Sequence, residues 1–128
     1  MNNSLHFDRI GALAIYVTDK KRSVNFYTTI LGFEMVVDLG PNLCFLKSTN
    51  GDINIYLKAG KKPADIDHNT ARLGFFIHCT ESAQKAYTNL KNSGITILQE
   101  CPEPVDDHTA CFQLLDPDGN IIDVCGPV

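Results

Sequence analysis

The 128-residue chain carries the same order of structural signals twice, offset by 62 residues. Gly32 and Gly94 each follow an apolar stripe of helical spacing, where a residue in the left-handed conformation commonly ends a helix. The same offset aligns Thr18 with Thr80, and both follow strand-like runs. The repeat therefore predicts two copies of one structural module.

The first copy predicts the element order β-α-β-β-β. The apolar run 10–17 has the length of a strand, and Thr18 and Asp19 behind it supply side-chain oxygens that cap a helix. A helix is expected over 20–31. Asn50-Gly51 is a strong hairpin-turn signal. Three further strands are expected around it, over 33–39, 43–47 and 53–58.

The second copy repeats this order after a polar segment, 59–70, that contains Gly and Pro and lacks an apolar period. Thr80 is expected to cap the helix, whose stripe begins at Ala83 and ends before Gly94. Asp118-Gly119 is expected to turn the last hairpin. The predicted strands of this copy are 72–79, 95–98, 109–115 and 121–125.

Two segments are distinctive: IGALAIYVTDKKRSVNFYTTILGFEMV near the start and FQLLDPDGNIIDVCG at the end. Both resemble signatures of the vicinal-oxygen-chelate superfamily, which includes glyoxalase I, bleomycin-resistance proteins and extradiol dioxygenases. The resemblance implies one α+β domain, 1–128, of two tandem β-α-β-β-β modules that form curved mixed sheets around a small-molecule site. Its parts are module one (8–58), a linker (59–70) and module two (71–126).

Charge and composition exclude several classes of partner. Eleven basic and fifteen acidic residues give a net charge of -4, so no basic field attracts nucleic acid. No apolar stretch approaches the length of a membrane span, and no signal peptide is evident. A cytoplasmic protein is expected.

Five cysteines are an odd number, and none forms a C-x-x-C pair. Because four of them fall in apolar strands, where free cysteine acts as a small hydrophobe, disulfides and cysteine chemistry are not expected.

The resemblance also locates the four metal-ligand positions of the metal-dependent relatives on Ala12, Tyr56, Gly74 and Asp123. Of these side chains only the Asp123 carboxylate binds a divalent ion well, and such an ion needs several convergent donors. The inherited metal site is therefore expected to be absent, and no cofactor is expected.

Strand alternation selects the side chains that face the expected cavity. The His78 imidazole and the Asp123 carboxylate are candidates for proton transfer. The other inward residues suit stacking and hydrogen bonding, and the expected substrate-binding set is Tyr16, Asn54, Tyr56, Phe76 and Gln113.

Three functional hypotheses remain from the sequence. The first is a metal-free protein that binds a small organic molecule, as bleomycin-resistance proteins do. The second is a metal-independent lyase or isomerase for a small carbonyl compound, with His78 and Asp123 exchanging a proton and Tyr56 stabilising an oxyanion. The third is a metal-dependent enzyme that uses His78 and Asp123, with His108 as a further candidate ligand.

The resemblance further implies a homodimer. The linker spans at most about 40 Å when extended, so it permits a cup formed within one chain or between two chains. In the shared form, each site draws Tyr16 and Tyr56 from one chain and His78 and Asp123 from the other.

Overall fold

The structure is a computed structural model, and it describes residues 5, 6, 8, 11–49, 54–59 and 75–128. The chain forms two compact units, Met1–Lys61 and Lys62–Val128. Each unit contains one four-stranded mixed sheet and one helical segment, which confirms the predicted α+β class. Apart from Ala59, the predicted linker 59–70 lies outside the described residues, as do Asn50-Gly51 and Gly74.

The sheet of the first unit has the strand order β1-β4-β3-β2. β1 and β4 run parallel, whereas β4 with β3 and β3 with β2 are antiparallel. Within the described residues its elements are β1 (Ala12–Tyr16), α1 (Lys20–Asn25), a π-helical segment (Phe26–Ile30), β2 (Glu34–Asp38), β3 (Leu43–Lys47) and β4 (Asn54–Lys58).

The first helical segment begins as predicted but does not stay α-helical. The Asp19 carboxylate accepts a hydrogen bond from the Arg22 backbone N–H at 3.1 Å, which caps the first turn. From Phe26 the helix widens, and the Leu31 N–H donates to the Phe26 carbonyl five residues back. Gly32 then takes a φ of +77°, the conformation expected of the residue that ends a helix.

The sheet of the second unit has the strand order β5-β8-β7-β6. β5 runs parallel to β8, and the other pairs are antiparallel. Its described elements are β5 (Phe75–His78), α2 (Ala83–Asn92), β6 (Glu103–Pro104), β7 (Thr109–Leu115) and β8 (Ile121–Pro127).

The cap of α2 corrects one prediction. Ser82, rather than Thr80, accepts a hydrogen bond from the backbone N–H of the residue three positions on, Lys85, at 3.1 Å. Thr80 lies too far from the first helical residue, Ala83, for its side chain to act as the cap. The end of the helix follows the prediction, since Gly94 takes a φ of +80°.

The predicted strand 95–98 is wrong. This segment runs beside β7 and makes only an isolated bridge between Ile97 and Leu114. The Gln99 side chain accepts a hydrogen bond from the Gln113 backbone N–H at 2.7 Å. In a regular ladder this N–H would donate to a backbone carbonyl oxygen of the neighbouring strand. The Tyr87 hydroxyl lies 2.7 Å from the Gln99 and Glu100 carbonyl oxygens, which it draws toward α2. The ladder therefore stops at one bridge.

In each unit one face of the two central strands packs under the helix and is buried, whereas the edge strands β2 and β6 are exposed. In the second unit the Phe112 ring meets the Tyr87 ring of α2 edge to face, with centroids 5.4 Å apart. The opposite face of each sheet, called the open face below, carries the alternate residues, which are half-buried or exposed. The described helices are all too short and too polar to cross a membrane.

Candidate functional site

The open face of the first unit is centred on Tyr56 of β4. Ile55 and Leu57 on either side of it are buried, so alternation turns Tyr56 to the open face. Tyr56 lies between Ala14 of β1 and Phe45 of β3, which are its register partners. The Phe45 and Tyr56 ring centroids are 5.3 Å apart. The two aromatic rings form one apolar surface in the middle of this face.

The other predicted residues of the first unit flank this ring pair. Asn54 is paired with Ala12 on one side and Lys47 on the other, one row away from Tyr56. Tyr16 is paired with Lys58 in the opposite row, and 38% of it is exposed. The first open face therefore places Tyr16, Asn54 and Tyr56 on neighbouring strands.

On the open face of the second unit, three predicted residues form a row across β5, β8 and β7. Asp123 is the register partner of both Phe76 and Gln113. Phe76 is 59% exposed, whereas Asp123 and Gln113 are half-buried. Gln99 donates from its amide to the Gln113 side-chain oxygen at 3.2 Å, which fixes the orientation of that amide. This set is called the Phe76 row.

A second row lies next to it along the same strands. His78 is paired with Cys125, and Cys125 is paired with Cys111. The His78 ring meets the Phe76 ring at an interplanar angle of 84°, with centroids 5.1 Å apart, so the two rows are in contact. His78 is exposed. His78 and Asp123 thus share one open face but lie in different rows.

The cysteines of this second row correct a further prediction. Cys111 and Cys125 are disulfide-bonded, with Cα atoms 4.2 Å apart. The sequence predicts that the four cysteines in apolar strands act as small hydrophobes and that disulfides are absent, and this is wrong for these two. The signal that could have found them is a three-residue hairpin loop, 117–119, which places the two residues opposite each other, whereas a two-residue turn at Asp118-Gly119 would place Cys111 opposite Gly126. Cys44, which is buried, fits the original interpretation.

The predicted site residues therefore fall into two groups, one on each open face. Sequence reasoning missed Phe45, although its place opposite Tyr56 follows from the alternation of β3 and β4. The group in the first unit is Tyr16, Asn54 and Tyr56, and the group in the second unit is Phe76, His78, Gln113 and Asp123.

Of the described metal-ligand positions implied by the resemblance, only one carries a strong metal-binding side chain. Ala12 offers only a methyl group, the Tyr56 ring packs against Phe45, and Asp123 supplies one carboxylate. Gly74 lies outside the described residues. In the part of the chain that the structure describes, no three His, Cys, Asp or Glu side chains are grouped to hold an ion. The residues at the described positions thus do not fit a divalent ion.

Comparison with known proteins gives consistent matches along almost the whole chain. The profile of the Glyoxalase/Bleomycin resistance protein/Dioxygenase superfamily matches residues 9–124. YetH, an uncharacterized protein of Bacillus subtilis (strain 168), is 29% identical over 119 residues, which cover 88% of this chain and 93% of YetH.

Solved structures of the same fold also align with the chain. A lactoylglutathione lyase from Agrobacterium tumefaciens aligns with a TM-score of 0.69, at 22% identity over 92% of each chain. TnmS3, an antibiotic binding protein from Streptomyces sp. CB03234, aligns with a TM-score of 0.71, at 17% identity over 98% of this chain and 100% of its own. These similarities confirm the predicted fold.

Proposed function

Because the chain belongs to the Glyoxalase/Bleomycin resistance protein/Dioxygenase superfamily, we propose that it binds a small organic molecule and needs no metal ion to do so. The observation that carries this proposal is the Phe76 row. It combines an exposed aromatic ring with a carboxylate and an oriented amide on three hydrogen-bonded strands. A few fixed polar groups beside an aromatic surface are typical of small-molecule sites.

Each member of the row favours one feature of the ligand. The Phe76 ring, 59% exposed, offers a flat apolar surface for stacking. The Asp123 carboxylate accepts hydrogen bonds, and Gln113 both donates and accepts them. A planar, cyclic molecule with at least one hydrogen-bond donor fits this combination best. TnmS3 is named as an antibiotic binding protein, which supports a small organic molecule as the ligand.

The chemistry of the ligand positions supports binding without a metal. In the second unit Asp123 supplies one carboxylate, and in the first unit Ala12 and Tyr56 supply no strong metal ligand. The proposal also retains the homodimer and the cytoplasmic location expected from the sequence. Light scattering at micromolar concentration tests the dimer, and a monomer at that concentration would contradict it.

A panel of small aromatic compounds, including activated carbonyl compounds, tests the proposed binding. Saturable shifts of the melting temperature are expected with wild type. Phe76→Ala should lower the affinity for the best compound by about tenfold, because it removes a stacking contact of about 1.4 kcal/mol. Val105→Ala is the matched control, because Val105 is 66% exposed and lies outside the Phe76 row. Equal binding by the Phe76→Ala and wild-type proteins would contradict the assignment.

A metal-independent lyase or isomerase is the second candidate. It is favoured by one observation, that His78 and Asp123 lie on the same open face. In this case one of His78 and Asp123 would take a proton from a bound carbonyl compound and the other would return one. Turnover on the same panel that is lost in both His78→Ala and Asp123→Asn, with binding retained, would favour the enzyme over the binding protein. Stoichiometric Zn, Ni, Mn or Fe in protein purified without chelator would instead favour a metal enzyme.

A further inference from the structure

The disulfide-bonded pair Cys111 and Cys125 lies on the open face of the second unit, in the row next to Phe76. Both residues are half-buried. The two strands that carry them are already held by seven register pairs, from Thr109↔Pro127 to Leu115↔Ile121. The strand pairing therefore does not depend on the covalent bond.

The strand pairing prepares the two sulfur atoms for reversible chemistry. Because the backbone ladder fixes the register, the Cα atoms stay near their 4.2 Å separation whether the sulfurs are bonded or not. Closing or opening the bond then requires only side-chain rotation. A disulfide that can form and break without backbone movement is suited to exchange with other thiols.

The other cysteines differ from this pair. Cys44 is buried, and burial raises the pKa of its thiol, so it is disfavoured as a thiolate nucleophile. Burial also raises the pKa of the Cys79 thiol, which donates to the Glu81 carbonyl oxygen at 3.4 Å. Cys101 is exposed. Among the described cysteines, the register joins only Cys111 and Cys125 to each other, and it places the exposed His78 beside Cys125.

We propose that Cys111 and Cys125 form a thiol–disulfide exchange site that takes a low-molecular-weight disulfide, such as oxidised glutathione, as its substrate. In the first step the Cys125 thiol loses its proton to the His78 imidazole, and the thiolate attacks one sulfur of the small disulfide. The S–S bond of that molecule breaks and the first small thiolate leaves, taking up the proton from His78.

In the second step the Cys111 thiol, deprotonated in turn, attacks the Cys125 sulfur of the mixed disulfide. The Cys111–Cys125 bond forms and the second small thiolate leaves and is protonated. The protein dithiol has then been oxidised by two electrons, and the small disulfide has been reduced to two thiols. The reverse sequence, with the reduced thiol in excess, opens the protein disulfide.

The test uses the full chain, fully reduced and then freed of reductant. It is incubated with oxidised glutathione, and its remaining thiols are alkylated and counted by mass spectrometry. Wild type should lose the thiols of Cys111 and Cys125 from its five, retain no glutathione on either residue, and yield a cross-linked peptide pair that contains both. Excess reduced glutathione should restore all five.

Variants test the order of the two steps. Cys111→Ser should stop at the first step and retain one glutathione on Cys125. The double variant Cys111→Ser/Cys125→Ser has no thiol at either position. It should therefore form no internal disulfide and gain no glutathione at these positions. Cys101→Ser is the matched control and should form the internal disulfide as wild type does, because Cys101 lies outside the row.

Two results would overturn the proposal. One is wild-type protein that keeps all five thiols under conditions in which free glutathione exchanges. The other is peptide mapping that finds glutathione retained on Cys111 or Cys125 of wild type, or a cross-link that does not join Cys111 to Cys125. The peptide map is measured on wild type, so it decides the question even if a serine variant fails to fold.

Discussion

Phe45 and Tyr56 lie directly opposite each other on β3 and β4, with ring centroids 5.3 Å apart and ring planes inclined by 39°. Tyr56 is the residue that stands, by resemblance, where metal-dependent relatives carry a carboxylate ligand. An aromatic pair at this position provides apolar surface instead of a charged oxygen donor. This pair therefore bears on both the stability of the first sheet and the type of ligand that its open face suits.

Replacing the Tyr56 ring should destabilise the first unit. Tyr56→Ala removes the cross-strand aromatic contact and the apolar area that the half-buried ring covers, so the free energy of unfolding should fall by about 2 kcal/mol. Tyr56→Phe keeps the ring and should change it by no more than about 0.5 kcal/mol. Urea unfolding measures both values. Equal losses in the two variants would show that the hydroxyl, and not the ring contact, matters.

Gly126 of β8 should not tolerate a side chain. A Cβ atom at this position would lie 2.5 Å from the Cys79 sulfur and 2.9 Å from the Glu81 carbonyl oxygen. Gly126→Ala should therefore lower the free energy of unfolding by about 2 kcal/mol. Gly11→Ala is the control, because nothing lies within 4 Å of its Cβ position.

A double variant separates the sulfur contact at Gly126 from the contacts with backbone atoms. Adding Cys79→Ala removes the sulfur but leaves the Glu81 carbonyl, so only part of the lost stability should return in thermal or urea unfolding. A Gly126→Ala protein as stable as Gly11→Ala would contradict the close packing of this strand against the 79–83 segment.

The Lys20–Asp38 ion pair should make stability depend on pH on the acid side. The hydrogen bond from the Lys20 ammonium lowers the pKa of the Asp38 carboxyl below its ordinary value. A carboxyl with a lowered folded-state pKa stabilises the fold above its unfolded-state pKa of about 3.9, and this contribution is lost as the pH falls through the folded-state value.

Unfolding midpoints measured from about pH 3 to about pH 7 test this sign. Lys20→Met should reduce the fall in stability on acidification, whereas Lys21→Met, an exposed neighbour on the same helix, should leave it unchanged. The expected effect is small because Asp38 is exposed and solvent screens the pair. A steeper acid-side fall in Lys20→Met than in wild type would contradict the assignment.

Much of the fold was predictable because the local signals agree with the packing. The bounds predicted for β3 and β7 match the structure, and Asp19, Gly32 and Gly94 do what their residue types favour. Strand alternation also predicted the open-face positions of Tyr56, Asp123 and Gln113, since the residues on either side of each along its strand are buried.

The remaining features depend on contacts between segments distant in sequence. The apolar pattern of 95–98 resembles a strand. However, the Gln99 side chain accepts the Gln113 backbone N–H, and the Tyr87 hydroxyl donates to the Gln99 carbonyl oxygen, and a ladder would use both of these backbone groups. The Cys111–Cys125 bond needs the exact register of β7 and β8. The roles of the site residues stay predictions, because they depend on a ligand whose identity the sequence does not encode.

Calorimetric titration of the compound that binds best, with and without EDTA, tests the proposed metal-free binding most directly. Metal-free binding predicts one saturable binding event whose affinity is unchanged by EDTA and about tenfold weaker in Phe76→Ala. Binding that disappears with EDTA and returns with a divalent ion, or binding that is equal in wild type and Phe76→Ala, would contradict it.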